Sequence, residues 1–248
     1  MKRILLAAAL LLSQILPAAA TDLQHLSGAE RDAFRAEVRA YLLENPELLM
    51  EAIAVLEERQ TAAQESGDAA TIAAYSADIF EDKSSWAGGN PDGDVTIVEF
   101  LDYRCGYCRR AHPEVAELIA RDPDIRLIVK EFPILGEESM LGSRYALAVR
   151  RLAGDAAYKQ VADTLIMMRG SINPAAVARL SKGLGLDHDA VSAEMENPEI
   201  GRILSSNRAL AQVLQISGTP SFIFGNMMVR GYVPLDTMEQ IVARLRGG

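Results

Sequence analysis

The sequence predicts an α/β fold, and three observations support this. The apolar, β-branched segment Val95–Leu101 is typical of a buried strand and runs directly into a segment with helical apolar spacing. A second strand is predicted over residues 125–132 and ends at Pro133. Strand, helix and strand with a crossover of this size imply a parallel pair. Near the C-terminus, Ser221–Phe224 is predicted to form a hairpin that turns at Gly225.

A block of helices separates the two strand-containing parts of the predicted fold. Residues 137–214 are interrupted by glycine- and proline-containing breaks, which indicates four or five short helices. A closing helix is predicted over residues 234–246. The turn-rich stretch 86–94 marks the best domain boundary. We therefore assign the main domain to residues 84–248, with the helical block as an insertion.

Residues 21–83 are predicted to form a separate helical segment. Two apolar stripes follow helical spacing, Asn45 and Pro46 suit a helix restart, and a third helix is expected over residues 69–80 after a break at residues 66–68. The stripes must be buried against the main domain or against other copies of the chain. We expect a homo-oligomer, because two offset stripes suit helix–helix packing.

The first 20 residues are typical of an export signal. Lys2 and Arg3 supply positive charge, an apolar run follows, and alanines at positions 18–20 suit a cleavage site. The apolar run is shorter than the ~20 residues that span a bilayer, although a retained membrane anchor is the alternative. The mature chain is expected to begin at Thr21 and to be located in the periplasm, where disulfide chemistry can operate.

The charge balance argues against one class of partner. The chain has 25 basic and 34 acidic residues, a net charge of −9, and it contains no basic run. Nucleic-acid binding is therefore not expected.

The only two cysteines, Cys105 and Cys108, are predicted to form a reactive dithiol. They lie where the first strand ends and a helix begins, and a helix N-terminus stabilises an anion, so the pKa of Cys105 should be low. We expect Arg104, Arg109 and Arg110 to add positive charge nearby. A disulfide across so short a loop would stabilise the fold little. Scattered histidines and the lack of a second cysteine pair argue against zinc.

Three motifs together resemble the DsbA-like family of exported disulfide oxidoreductases, over roughly residues 86–248. They are EFLDYRCGYC at residues 99–108, KEFPIL at residues 130–135 and GTP at residues 218–220. The resemblance implies a thioredoxin fold with a helical insertion. With its N-terminal helices, the chain is most similar to the ScsC-type members, which resemble the oligomeric isomerases DsbC and DsbG. This second resemblance favours a trimer.

The resemblance also implies roles for individual residues. Cys105 would be the exposed nucleophile and Cys108 the buried resolving thiol. Pro220 would be a cis-proline facing the dithiol, whereas an ordinary trans turn proline is the alternative. Tyr107 and Thr219 are expected to contact the client, with the Thr219 backbone offered to an extended peptide.

Glu99 and Lys130 are expected to support the dithiol. Glu99 lies between Ile97 and Leu101 on one face of a buried strand, so its pKa should be raised, and it can then relay the proton of Cys108. An exposed strand end is the alternative for Glu99. Lys130, in the neighbouring strand, is implied by the resemblance to be its charge partner.

The dipeptide between the cysteines bears on whether the dithiol oxidises clients or isomerises and reduces their disulfides. Strongly oxidising members resemble Cys-Pro-His-Cys, whereas Gly106 and Tyr107 offer no cation to the thiolate. Together with Thr219 before the proline, this resembles the isomerase branch. The resemblance thus implies isomerisation or reduction of client disulfides with a membrane redox partner and without an organic cofactor or metal. A dithiol oxidase, a copper(I) chaperone and a peptide-binding chaperone are the alternatives.

Overall fold

The computed structural model describes residues 26–247. The predicted export signal, residues 1–20, lies outside this range. No helix within residues 26–247 is long and apolar enough to cross a membrane. The chain divides into two compact units, and the division falls between Arg59 and Gln60.

The described elements follow one another in the order that the sequence predicts, with one additional strand. They are helices α1 (Gly28–Glu44), α2 (Glu47–Ala74) and α3 (Ser76–Phe80), strands β1 (Trp86–Gly89) and β2 (Val95–Leu101), helix α4 (Gly106–Arg121), strand β3 (Ile125–Glu131), helices α5 (Glu137–Met167), α6 (Pro174–Gly183), α7 (His188–Met195) and α8 (Pro198–Val213), strands β4 (Ser221–Phe224) and β5 (Met227–Arg230), and helix α9 (Leu235–Gly247).

The first unit contains α1 and the beginning of α2. Helix α1 starts with a capping box, in which the Ser27 side chain accepts from the Glu30 N–H and the Glu30 carboxylate accepts from the Ser27 N–H. None of the residues of α1 is buried. The large apolar side chains that this unit exposes are Phe34, Val38, Tyr41, Leu43, Leu49, Met50, Ile53, Val55 and Leu56.

The second unit contains a five-stranded sheet in the order β1-β3-β2-β4-β5. Strands β2 and β3 are parallel, as predicted, and the other pairs are antiparallel. Strand β1 was not predicted, because its glycines indicated a connector. Its conformation depends on those glycines. A Cβ atom on Gly88 would lie 2.2 Å from the Trp86 ring, and Gly89 has a φ of +71°.

The helical insertion between β3 and β4 comprises α5 to α8, as predicted. Asn173 caps α6 and Asn197 caps α8 through their side-chain oxygens. The predicted break at Gly154 is a kink inside α5, where the glycine has φ 83° and ψ −177°. The break predicted at Gly154 is therefore confirmed, and α5 consists of two helical parts that meet at this kink.

The two faces of β2 contribute to two different cores. Ile97 and Leu101 belong to the core that includes residues of α4 and α5, and Glu99 lies between them on that face. Val98 and Phe100 belong to a second core on the opposite face. Glu99 therefore lies on the side of the sheet that α4 and α5 cover.

The end of α2 and helix α3 are part of the second unit. Ile72 and Ile79 are buried in the second core. The predicted break at residues 66–68 is wrong, since α2 continues through it, and Asp68 accepts two hydrogen bonds from Arg230 of β5 at 2.7 and 2.8 Å. The structural division after Arg59 consequently lies well before the boundary predicted between residues 83 and 84.

Candidate active site

The dithiol lies at the junction of β2 and α4. Cys105 is the N-cap of α4, and its Sγ accepts a hydrogen bond from the Cys108 N–H at 3.4 Å. Cys105 is 7% exposed and Cys108 is completely buried. Cys105 is therefore more accessible to solvent than Cys108. It is nevertheless less exposed than the sequence analysis predicted.

The loop before β4 covers the dithiol from a distant part of the chain. The peptide bond between Thr219 and Pro220 is cis. The Thr219 carbonyl oxygen accepts a hydrogen bond from the Cys105 thiol, with 3.0 Å between the two atoms. The Pro220 carbonyl oxygen accepts from the Gly231 N–H at 3.0 Å, which ties this loop to the end of β5. The tertiary fold thus places Thr219 directly against Cys105.

The two thiols have opposite acidities. A hydrogen bond from the Cys108 thiol, followed by those from the Thr219 side chain and the N–H groups of Cys108 and Tyr107, lowers the pKa of Cys105 to about 5. Burial, above all, raises the pKa of Cys108 far above its ordinary value. At neutral pH Cys105 is therefore a thiolate and Cys108 a thiol.

The three neighbouring arginines are engaged with other groups. Arg104 forms an ion pair with Glu138 at 3.0 Å. Arg109 donates to two carbonyl oxygens at the end of α5 and just after it, at 2.8 and 2.9 Å, and Arg110 lies over the Tyr232 ring. The low pKa of Cys105 thus results from short-range hydrogen bonds, and the arginines connect α4 to the surrounding elements.

Glu99 is a buried acid on the same side of the sheet as α4. It is 3% exposed, and its Oε1 atom has no hydrogen-bond partner. Burial, with the added negative charges of Cys105 and Glu131, raises its pKa to about 8. Glu99 in turn raises the pKa of Cys108. It is electrostatically coupled to both cysteines.

Glu131 is a second buried acid on this face, which sequence reasoning missed. Its carboxylate accepts hydrogen bonds from Tyr103 and Tyr158 at 2.6 Å and from Ser143 at 2.7 Å. Burial raises its pKa to about 7, although these three hydroxyl groups act in the opposite direction. Its alternation with Val129 along β3 was the sequence signal that could have indicated it.

The predicted pairing of Lys130 with Glu99 is wrong. In the register of β2 and β3, Lys130 lies opposite Phe100, so its side chain is directed to the other face of the sheet from Glu99. Its Nζ atom lies 2.8 Å from Oδ2 of Asp82 and 3.3 Å from the Ser85 hydroxyl. Lys130 is 1% exposed. The buried lysine thus forms an ion pair with the half-buried Asp82, which the sequence did not indicate.

Tyr107 provides an exposed aromatic surface beside Cys105. It is 62% exposed and stacks on Tyr232, with 6.3 Å between the ring centroids. The Tyr232 hydroxyl donates to Glu114 at 2.7 Å, which holds this second ring in place. The two rings thus form an aromatic surface next to Cys105.

The residues that the structure describes contain no group of three or more histidine, cysteine, aspartate or glutamate side chains arranged to hold a metal ion.

We expect the Cys105 thiolate of the reduced protein to form with a midpoint near pH 5. The measurement is the ultraviolet absorbance of the thiolate against pH. Cys108→Ala should raise this midpoint, because it removes the hydrogen bond that contributes most, but should leave it below the ~8.5 of a free cysteine. A wild-type midpoint near ~8.5 would contradict the proposed hydrogen bonding.

Two family models match the chain. The DSBA-like thioredoxin domain covers residues 96–243, more than half of the chain. The N-terminal domain of the copper resistance protein ScsC covers residues 30–63. The two models lie within the two predicted parts of the chain, residues 84–248 and residues 21–83.

Solved structures show the same similarity. A thioredoxin-like oxidoreductase from Silicibacter pomeroyi DSS-3 is 40% identical, with a TM-score of 0.66, and the match covers 69% of this chain and 98% of that one. A linker-deleted variant of Proteus mirabilis ScsC is 26% identical, with a TM-score of 0.67, and the match covers 90% of this chain and 97% of that one. The second match extends over the N-terminal helices as well.

Curated relatives differ in length from this chain. The Na(+)/H(+) antiporter NhaA 3 of Salinispora tropica is 26% identical over 164 residues, 64% of this chain, and the chain spans about a quarter of its length. The probable disulfide bond formation protein D of Bacillus anthracis is 24% identical over 158 residues, which cover 56% of this chain and 69% of that protein. With the family model matched from β2 to α9, the chain belongs to the DSBA-like thioredoxin domain family, and its residues 30–63 are similar to the N-terminal domain of ScsC.

Proposed function

We propose that this protein is exported to the periplasm and isomerises or reduces disulfides in client proteins. The observation that supports the proposal is the opposite shift of the pKa values of Cys105 and Cys108. Cys105 has a pKa of about 5 and is 7% exposed, whereas Cys108 is completely buried and holds its proton. This combination supplies a nucleophile and a separate resolving thiol.

The mechanism follows from thiol–disulfide exchange. The Cys105 thiolate attacks one sulfur of a client disulfide, forms a mixed disulfide with it, and releases the other client sulfur as a thiolate. If another client thiolate then attacks the mixed disulfide, the client is isomerised and Cys105 is released. If Cys108 attacks instead, the client is reduced and the Cys105–Cys108 disulfide forms. A membrane redox partner would then return the dithiol to its reduced state.

Glu99 is proposed to act as the proton relay for Cys108. Cys108 must lose its proton before it can attack, and it is completely buried. Glu99 is coupled to Cys108 and has a pKa of about 8, so a fraction of it is ionised near neutral pH and this carboxylate fraction can accept the proton. Thr219 and Tyr107 flank Cys105 and are proposed to position the client.

The N-terminal unit is proposed to associate with other copies of the chain. Helix α1 buries none of its residues, although it presents large apolar side chains such as Phe34 and Tyr41. A homo-oligomer would cover this surface and arrange several dithiols around one client. The ScsC resemblance favours a trimer.

The test is the refolding of a scrambled disulfide substrate beside a fully reduced one, in a defined redox buffer. The chain from Thr21 is expected to accelerate recovery of the scrambled substrate, and Cys105→Ser to abolish this activity. Acceleration of the reduced substrate alone would instead indicate an oxidase. Stoichiometric copper(I) binding without an effect on either substrate would indicate a copper chaperone.

The same assay tests the N-terminal unit. A truncated chain should start at Gln60 rather than near Ser84, because the later start would remove Ile72 and Ile79 from the core and Asp82 from Lys130. By light scattering, we expect the chain from Thr21 to be oligomeric and the truncated chain monomeric.

The truncated chain should keep its reductase activity on a small disulfide but lose most of its isomerase activity. If both chains are monomers, the N-terminal unit does not mediate association. Isomerase activity would then lose its structural support.

A further inference from the structure

A cavity lies on the face of the sheet that carries Glu99. Helices α4 and α5 leave a volume of about 260 Å³ against this face, with mostly apolar walls that include Trp86, Val115 and Ala162. An engineered apolar cavity of about 150 Å³ holds a benzene molecule. The cavity therefore has room for one aromatic ring with a short polar substituent.

The charged side chains that line the cavity differ in whether they have a partner. Those at its outer edge are paired with one another, whereas the buried Glu99 is not. At the rim, Asp163 lies 3.0 Å from His112 and 2.6 Å from Lys159, so these three groups satisfy one another. Glu99 lines the inner part, and its Oε1 atom is buried without a hydrogen-bond partner. Buried polar atoms are nearly always paired in folded proteins. An unpaired buried oxygen at a cavity of this size indicates a place for a ligand group.

The charges around Glu99 favour a cation as that group. The Cys105 thiolate and Glu131 both add negative potential at Glu99. Lys130, the cation expected for Glu99, lies on the other face of the sheet and is paired with Asp82. Apolar walls offer few of the two to four polar partners that an ordered water requires. A cationic head on an apolar body fits these surroundings better than water does.

We propose that this cavity binds a small planar organic cation of the amidine or guanidine class, with its head on Glu99 and its apolar body beside Trp86. An amidinium group presents parallel N–H donors that suit a carboxylate. Such a ligand would hold Glu99 in its ionised form, lower the pKa of the carboxyl and so weaken it as an acceptor for the proton of Cys108. This last consequence rests on the proposed relay, whereas binding itself does not.

The test uses benzamidine and its neutral counterpart benzamide, which have nearly the same shape. Trp86 is the only tryptophan of the chain and lies in the cavity wall, so its fluorescence reports occupancy directly. We expect the reduced chain from Thr21 to bind benzamidine at least about tenfold more tightly than benzamide, because only the former pairs its charge with Glu99.

Two variants separate the charge from the space. Glu99→Gln should lower the affinity for benzamidine about tenfold, to that for benzamide, and should leave the affinity for benzamide unchanged. Ala162→Met should fill the cavity and weaken both ligands. Glu117→Gln, an exposed glutamate of α4 outside the cavity, serves as the matched control and should change neither affinity. If Ala162→Met does not fold, Ala116→Met fills the cavity from α4 instead.

Several outcomes would overturn the proposal. They are no benzamidine binding at millimolar concentration, equal affinities for the two ligands, or a benzamidine affinity that Glu99→Gln leaves unchanged. These results come from fluorescence alone, so they are independent of the refolding assay. Active refolding without benzamidine binding would remove the cavity proposal and leave the proposed function intact. Binding without refolding activity would do the reverse.

Discussion

Glu99→Gln is expected to stabilise the reduced protein at about pH 8 and not at pH 4. The pKa of Glu99 is raised from 4.5 to about 8 in the fold. Between these values the folded state holds a proton that the unfolded chain has released, so stability falls as the pH rises. Since one pKa unit is equivalent to about 1.4 kcal/mol, the advantage of the variant should grow by on the order of 4 kcal/mol across this range.

The measurement is the free energy of unfolding in denaturant as a function of pH, on reduced wild type and variant. Glu117→Gln is the control, because its exposed carboxylate should give the wild-type profile. A constant difference between Glu99→Gln and wild type from pH 4 to 8 would show that Glu99 has an ordinary pKa.

The same substitution should separate the two steps of the chemistry. Glu99→Gln should slow the release of the mixed disulfide by Cys108 and leave the initial attack by Cys105 nearly unchanged, because only Cys108 needs a proton acceptor. Rapid-mixing kinetics with a small disulfide would resolve the two rates. Equal slowing of both rates would argue against a relay. The acid would then destabilise the fold without a compensating role in resolution.

Asp82→Ala is expected to destabilise the protein by about 3–5 kcal/mol, the usual cost of leaving a buried charge without its partner. Lys130 is 1% exposed, and without Asp82 its ammonium would keep only the Ser85 hydroxyl as a partner. Burial by itself raises the pKa of Asp82, but hydrogen bonds from Lys130, Ser84 and Ser85 outweigh it and hold that pKa well below its ordinary value. The loss should therefore be full above about pH 4 and should diminish as the pH falls further.

A double-mutant cycle checks this interpretation. Adding Lys130→Met to Asp82→Ala should recover most of the lost stability, because the buried charge is then removed together with its partner. Denaturant unfolding of the wild type, both single variants and the double variant gives the coupling free energy. A cost below about 1 kcal/mol for Asp82→Ala would mean that Lys130 finds another partner. Neither residue touches the dithiol, so the low pKa of Cys105 should be unchanged in all four proteins.

Local sequence patterns were sufficient to predict most strands and helices of the second unit. They failed at segments that contain glycine. Strands β2 and β3 and the helix that follows Cys105 were predictable, because apolar periodicity and cap residues act over a few neighbouring residues. Strand β1 was missed, since its glycines indicate a turn until the Trp86 ring and the edge of β3 are in place. The helix break at residues 66–68 was wrong for a similar reason. Contacts of α2 with β5, through Asp68 and Arg230, hold that segment helical.

The sequence by itself determined the cysteine pair, its position at a helix N-terminus and the buried acid on the preceding strand. Each of these depends on residues close together in the chain. Only the tertiary structure decided which groups meet the dithiol and the acid. It placed Thr219 on Cys105 and paired Lys130 with Asp82 across the opposite face. The physical reason is strand register. Alternation along one strand shows which of its residues share a face. Only the register with the neighbouring strand decides which residues of the two strands lie on the same side of the sheet.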